Sequence, residues 1–227
     1  IRDLRSADMV LIGGDEGKHR DELVDLYHKI NKDSRISFMS TTAAELVKLA
    51  VNCYLTTKIS YANMVGEVMT LAGMEDEIDS VLSAIGADSR IGTKFLKYGY
   101  GFGGPCLPRD NRAFAAYAKT LGIAYNLGET TDNFNDAHAK FLFDYVVSRN
   151  YKNLPYYFDY IVYKEGTDIL EESQQYRLCI DLLDNGYEVY INDGYPVVTQ
   201  IKNELYEKYY DRVKFEEPTE EVYRIEL

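Results

Sequence analysis

Residues 99–110 (Gly-Tyr-Gly-Phe-Gly-Gly-Pro-Cys-Leu-Pro-Arg-Asp) set one cysteine, Cys106, on a loop of glycine and proline, with Asp110 four residues later. Gly99, Gly101, Gly103 and Gly104 let backbone approach a ligand closely, and Pro105 and Pro108 stiffen the turn that carries the thiol. Residues 111–121 read as helix, so the thiol stands near a helix N-terminus. Positive partial charge there favours a thiolate, the nucleophilic form of cysteine. The competing reading is a small buried hydrophobe, and the flanking glycines and prolines argue against it. Gly99, Gly101 and Gly104 also match G-x-G-x-x-G. Residues 91–98 are not a convincing strand, however, and no strand ending in an acid follows at the required distance, so this is not a dinucleotide fingerprint.

A second pair with chemistry is Lys48 and Asn52, four residues apart in a helical pattern and therefore on one face. An ammonium beside an amide can stabilise an alkoxide or a tetrahedral oxyanion. Spacing alone fits a solvated lysine and a surface asparagine equally well.

The elements that must position these groups follow from periodicity. Met9–Ile12 is a short buried-type strand ending in Gly13-Gly14, followed by a helix near residues 16–31 and a strand over 35–39. From Thr41 the pattern is helical for about 30 residues. Ser40-Thr-Thr supplies an N-cap, with Thr42 and Glu45 at capping-box spacing. Leu46, Leu49, Cys53, Tyr54, Thr57, Tyr61, Met64, Val68 and Leu71 lie on the 3.6-residue period, and Gly73 stops it. A helix of about 45 Å, at 1.5 Å per residue, suits either a spine packed on a second copy or an ordinary core helix. Further helices are expected near 76–85, 111–121 and 132–147. After a linker at 150–155, a strand over 156–163, a helix over 174–185 stopped by Gly186, and a strand over 188–192 make one β-α-β unit.

Composition limits the function classes. The 227 residues are 46% hydrophobic and 13% aromatic, with 21 Tyr and no Trp. A net charge of −12 argues against a nucleic-acid partner, whose footprint is basic. Cys53, Cys106 and Cys179 are odd in number and lack metal-ligand spacing, so no metal site is expected and the thiols read as reduced, in a cytoplasmic protein. No 18-residue apolar run suggests a membrane span. His19, His28 and His138 lie in polar helical contexts and read as solvated. Cys53 and Cys179 read as core thiols.

The cysteine loop, with Met9-Val-Leu-Ile-Gly-Gly14, Ala44-Glu-Leu-Val-Lys-Leu-Ala-Val-Asn52 and Asp88-Ser-Arg-Ile-Gly92 before it in order, resembles the UDP-glucose/GDP-mannose dehydrogenase family. The resemblance is strong over residues 1–150 and weak over 155–227. It implies an α/β fold with an all-helical centre. Residues 1–40 would be the tail of an N-terminal NAD-binding Rossmann domain, 41–150 a helical dimerisation and catalytic domain, and 155–227 a partial or divergent nucleotide-sugar-binding domain. It also implies NAD-dependent four-electron oxidation of a nucleotide-sugar C6 alcohol to a carboxylate. UDP-glucose, giving UDP-glucuronate, is the substrate that fits the loop best, with GDP-mannose second.

The resemblance assigns roles residue by residue. Cys106 is the nucleophile that becomes a thioester, Lys48 and Asn52 are catalytic, and Asp110 is an acid–base and water-positioning group; on its residues alone Asp110 also reads as a helix N-cap. Arg90 reaches the substrate in the neighbouring subunit of a homodimer. Phe95, Leu96, Lys97, Tyr98, Phe102 and Gly103 belong to the loop around sugar and uracil. Arg109 stands where the family has a lysine near the cofactor, and Lys164 matches a nucleotide-holding lysine. The C-terminal unit departs from the family. Residues 159–164 lack the expected glycine, Glu171-Glu172-Ser173 replaces Arg-Glu-Ser, and Asn192-Asp193-Gly194 replaces Asp-Pro. Two readings follow: a piece of an enzyme that is inactive alone, or a dimerisation or nucleotide-sugar-binding module without turnover. A cysteine hydrolase is a poor third, since no histidine is placed by motif to activate the thiol.

Overall fold

In a computed structural model, residues 6–31 and 35–227 are described. They form two compact units, one reaching to Val51 and the other Asn52–Leu227. In the first, β1 (Met9–Gly13), α1 (Lys18–Ile30) and β2 (Arg35–Met39) make a β-α-β unit with parallel strands, Met9 opposite Arg35 and Gly13 opposite Met39. Val10 and Ile12 alternate into its core, as a half-buried strand requires. Gly13 is needed by packing: a Cβ there would lie 2.9 Å from both Ala44 Cβ and Thr41 Cα.

The long helix α2 runs Thr41–Leu71. Its N-cap is Ser40, whose Oγ accepts from Ala43 N at 3.2 Å. Thr42, expected in the capping box, already lies inside the helix. Gly73, at φ 75°, ends it: Gly73 N donates to Thr70 O and Met74 N to Met69 O, which closes the orphan carbonyls of the last turn. The boundary between the compact units falls within this helix.

The second unit continues through α3 (Ile78–Ala87), α4 (Leu107–Thr120) and α5 (Leu127–Arg149). A small α/β layer follows: β3 (Tyr156–Phe158), α6 (Gln174–Asp184), β4 (Val189–Ile191), α7 (Tyr195–Tyr209), β5 (Val213–Lys214) and β6 (Tyr223–Arg224). The sheet order is β5-β4-β3-β6, all parallel, so the C-terminal region is fuller than a single β-α-β unit. Its core joins Tyr156, Phe158, Val189 and Ile191 to Leu178, Leu182 and Leu183 of α6, Val197 and Ile201 of α7, and Val146 of α5. A second core holds Ala62 and Met69 of α2, Ile78 and Leu82 of α3, and Leu96.

Three elements differ from the sequence reading, among them α5, which starts at Leu127, five residues before the expected 132. β3 has three residues, not eight, because the chain leaves the ladder at Asp159. Ile161 N then donates to Asp193 Oδ2 at 2.8 Å, and Ile161 O accepts from Ser173 Oγ at 2.5 Å, so side chains satisfy backbone that a strand would have paired. Ser173 also caps α6, accepting from Tyr176 N. The third difference is that α4 starts at Leu107, four residues earlier than expected. Among the described residues, no helix is long and apolar enough to cross a membrane and no cluster of three or more His, Cys, Asp or Glu could hold a metal.

Candidate active site

Cys106 is exposed and is itself the N-cap of α4, with no side chain capping that end. Pro108 sits in the first turn, where its missing N–H costs nothing. Asp110 is therefore not an N-cap. It lies one turn into the helix, on the face that carries Cys106, and its backbone N donates to Cys106 O at 2.9 Å. Its side chain is buried and accepts from Asn52 Nδ2 at 2.6 Å and Arg109 Nε at 3.1 Å. Two of the sequence-derived residues, Asn52 and Asp110, are thus brought into direct contact beside the thiol helix. The rest of the Arg109 guanidinium is solvent-exposed. Lys48 lies one turn before Asn52 on α2, on the first unit's side of the boundary.

The loop before Cys106 is held by four polar side chains. Asn63 Oδ1 accepts from Gly99 N at 3.1 Å, and its amide reaches Tyr100 O at 3.4 Å. Asn135 spans the Phe102 backbone, accepting from its N at 2.9 Å and donating to its O at 3.0 Å. His138 Nε2 lies 2.7 Å from Gly99 O, and Glu67 Oε1 lies 2.6 Å from His138 Nδ1. His138 has no exposed surface, against the solvated position expected of it. Below the loop, Asn111 joins three helices: it accepts from Thr56 Oγ1 at 2.9 Å and donates to Gly128 O at 2.7 Å and Thr131 Oγ1 at 3.1 Å. The glycines are there for close approach. A Cβ at Gly101 would overlap Asn135, one at Gly103 would overlap the Glu172 carbonyl, and one at Gly104 would meet the Tyr163 ring.

The aromatic loop divides. Leu96 and Phe102 are buried within the protein, and Tyr98 packs its ring where a Cβ on Gly66 would stand. Burial pushes the Tyr98 phenol up to about 12. These three are packed into the protein because the helices α2, α3 and α5 close around the loop. Phe95 and Lys97 remain exposed, and Phe95 holds a left-handed backbone at φ 61°. Such a conformation is unfavourable for a bulky side chain. Arg90 is also exposed. Its guanidinium grips Asp88 through Nε at 3.0 Å and Nη2 at 2.6 Å, which holds the Asp88 carboxyl below the usual carboxylate range. Lys58 Nζ fixes the same turn through the carbonyls of Ile91 and Gly92, at 3.1 and 3.0 Å. Lys164 is exposed after β3. Sequence reasoning missed Arg112, which ties α4 to Asp132 of α5 at 2.9 Å and to Glu172 at 2.6 Å and so braces the thiol helix; both carboxylates raise its pKa.

A dinucleotide needs backbone N–H groups cradling its pyrophosphate at a helix N-terminus. The turn between β1 and α1 does not fit that role. It lines a cavity of about 310 Å³, but Gly13 packs on the start of α2, Asp15 and Glu16 add negative charge, and Glu16 engages Arg20 at 3.0 Å. Arg109, with exposed cationic surface next to the thiol, does suit an anionic cofactor. In the C-terminal sheet the strand order reverses between β3 and β6, the place where open α/β sheets bind ligands. A cavity of about 220 Å³ opens there, lined by Tyr100, Phe158, Asp159, Tyr160 and Glu226. Asp159 is paired with Arg224, whose guanidinium lies 4.4 Å from the Tyr157 ring centroid. Two carboxylates make this a poor phosphate site.

Residues 42–137 match the central domain of the UDP-glucose/GDP-mannose dehydrogenase family. Over 197 residues the chain is 30% identical to UDP-glucose 6-dehydrogenase of Pseudomonas aeruginosa, covering 85% of this chain and 43% of that protein. The mouse enzyme of the same name is 30% identical over 207 residues, covering 85% of this chain and 41% of it. The structure of a UDP-glucose dehydrogenase from Pyrobaculum islandicum superposes with a TM-score of 0.81 at 28% identity, over 96% of this chain and 49% of that one. The chain thus spans less than half the length of these relatives. Residues 42–137, which hold the Asn52–Asp110 contact and the thiol at the start of α4, belong to the central domain of the UDP-glucose/GDP-mannose dehydrogenase family.

Proposed function

We propose that this chain carries the catalytic centre of an NAD-dependent dehydrogenase that oxidises the C6 alcohol of a nucleotide sugar to a carboxylate, with UDP-glucose as substrate. The observation that carries the reading is an exposed thiol at a helix N-terminus with Asp110, held by Asn52, on the same face. NAD supplies, when bound, the acceptor for two hydrides. Cys106 adds through its thiolate to the C6 aldehyde, giving a thiohemiacetal; loss of the second hydride leaves a thioester, and water then releases the carboxylate and the free thiol. Lys48 and Asn52 stabilise oxyanions along the way, and Asp110 takes the proton of the attacking water. Arg109 faces the cofactor, while Phe95 and Lys97 supply exposed contacts to the sugar nucleotide. Lys164, exposed after β3, is a further nucleotide contact.

The working form in this reading is a homodimer built on α2. Tyr54, Tyr61 and Val68 recur every seven residues, with Met64 and Leu71 three residues after the second and third, and all five are exposed. That is the a/d seam of a helix that packs on a partner. Arg90, displayed on a braced turn, would then serve the partner's substrate, where a guanidinium fork suits phosphate.

The test is NADH formation by the full-length protein with UDP-glucose, GDP-mannose and UDP-N-acetylmannosamine, beside Cys106→Ala. The expected result is about two NADH per UDP-glucose, following the two hydride transfers, and none released as product by the variant. A protein that binds UDP-glucose but yields no NADH with any of the three, its thiol being accessible, would instead be a binding or assembly module.

A further inference from the structure

We propose that His138, oriented by Glu67, is a positioning residue for the nucleophile: it fixes the Gly99 carbonyl and so sets the path of the loop that presents Cys106. The inference rests on Cys106 being the reactive thiol. The hydrogen inventory of the pair is constrained. A carbonyl oxygen only accepts, so Nε2, 2.7 Å from Gly99 O, carries a hydrogen. At 2.6 Å a proton also lies between Nδ1 and Glu67 Oε1, whichever atom holds it. The ring is therefore bound at both nitrogens, one to α2 and one to the loop, while its faces lie between Phe134 at 5.9 Å and Phe141 at 6.3 Å. Tyr98 closes the edge, with ring centroids 6.0 Å apart.

No motif demands so rigid a histidine for stability alone, since α2 and α5 are already tied together through Asn111. What His138 adds is a bond to the first residue of the loop. Gly99 is then held at its N by Asn63 and at its O by His138, and Phe102 is held at both by Asn135. Four residues of loop have their ends fixed, and the remaining residues to Cys106 run past Glu172 and Tyr163, where only glycine fits. Positioning errors of about 1 Å at a reacting atom cost roughly 10²-fold in rate. A carbonyl clamp of this kind acts on the thiol without touching substrate.

Amide hydrogen exchange and kinetics on the full-length protein test this with His138→Leu, His138→Gln and Glu67→Leu. In His138→Leu, exchange in the peptide spanning residues 99–106 should quicken at least ten-fold while that of α6 is unchanged, and kcat should fall at least ten-fold with KM for UDP-glucose within three-fold. His138→Gln, whose amide can donate to Gly99 O, should bring both back to within three-fold of the parent. Glu67→Leu, at a partly exposed position that tolerates change, should quicken loop exchange about three-fold, and it keeps the test alive if His138→Leu does not fold. Wild-type exchange over 99–106 in both Leu variants would overturn the proposal, as would failure of His138→Gln to restore it. Because exchange needs no turnover, a parent that makes no NADH refutes the proposed function and leaves the exchange result to decide this one.

Discussion

Asn52 of the long helix donates to Asp110 of the thiol helix at 2.6 Å, a bond that ties the Asp110 carboxylate to α2 one turn after Cys106. Asp110 is 3% exposed, so its carboxylate is directed by protein, not by solvent. Asp110→Asn keeps the shape and removes the charge. If Asp110 activates the hydrolytic water, kcat should fall about 10²-fold or more, and the covalent sugar ester should accumulate on Cys106, visible as added mass in the intact protein. A variant that slows without accumulating ester would move Asp110 to an earlier step.

The three thiols should separate cleanly under alkylation. Burial pushes both the Cys53 and the Cys179 thiol up, and neither is accessible, whereas Cys106 is exposed. Iodoacetamide on the folded protein should place one label, on Cys106, with the other two reacting only after unfolding. Labelling of Cys53 at a comparable rate would mean that α2 opens in solution.

The sequence made the long helix, its glycine stop and the β-α-β segments legible because those signals are local: caps, periodicity and turn residues. It also singled out Asn52 and Asp110, which the fold brings into contact. What it hid is the use of each helix face. Leu71, Val68 and Tyr54 lie on the 3.6-residue apolar period that fits a core helix or a spine packed on a second copy, and Leu71 is 79% and the other two 61% exposed. The face α2 buries instead carries Cys53, Thr56, Ser60, Asn63 and Gly66. Small and polar residues win there because the cysteine loop brings backbone groups that must be hydrogen-bonded, and a Tyr ring that needs room. The roles of Asn63, Asn111, Asn135 and His138 depend on partners 17 to 71 residues away, which no spacing rule contains.

Arg90 braces itself on Asp88, and the pair predicts a titration. The folded-state pKa of Asp88 is depressed by the guanidinium and by the Arg90 backbone N–H. The stabilisation it gives is therefore present above the unfolded carboxylate value of about 3.9 and is lost as pH falls through the lower folded value. Both groups are on the surface, so the effect on folding is small, and the observable is the carboxyl itself. An NMR titration should place its midpoint below about 3.9, and Arg90→Ala should raise it towards that value, the retained backbone N–H keeping part of the depression. Equal midpoints in the two proteins would show that the fork is not formed in solution, leaving Arg90 free to swing.

Phe95 separates stability from binding. Its left-handed backbone costs about 1 kcal/mol, which glycine would relieve, while glycine adds about 0.4–1 kcal/mol of unfolded-state entropy to overcome. The two nearly cancel. Phe95→Gly should accordingly leave stability within about 0.5 kcal/mol by these figures, yet raise KM for the nucleotide sugar roughly ten-fold if the exposed ring contacts it, since an aromatic contact is worth about 0.5–1.5 kcal/mol beyond its buried area. An unchanged KM would make the strain a feature of the turn alone.

Val68 gives the sharpest test of the α2 seam. It lies seven residues after Tyr61 and fourteen after Tyr54, near the C-terminal end of the exposed apolar line that ends at Leu71. In a single protomer the side chain is mostly solvated, so Val68→Glu should change the protomer's own stability by no more than about 0.5 kcal/mol. Across a two-fold axis the same substitution places two carboxylates near each other in an apolar interface, where like charges repel and neither is paired. The variant should sediment as a monomer at concentrations where the parent is a dimer, with its unfolding midpoint nearly unchanged at matched monomer populations. Val68→Ile, which keeps the seam apolar, should remain dimeric. If Val68→Glu sediments with the parent at every concentration, α2 is not the interface, and Arg90 loses its route to a partner's substrate.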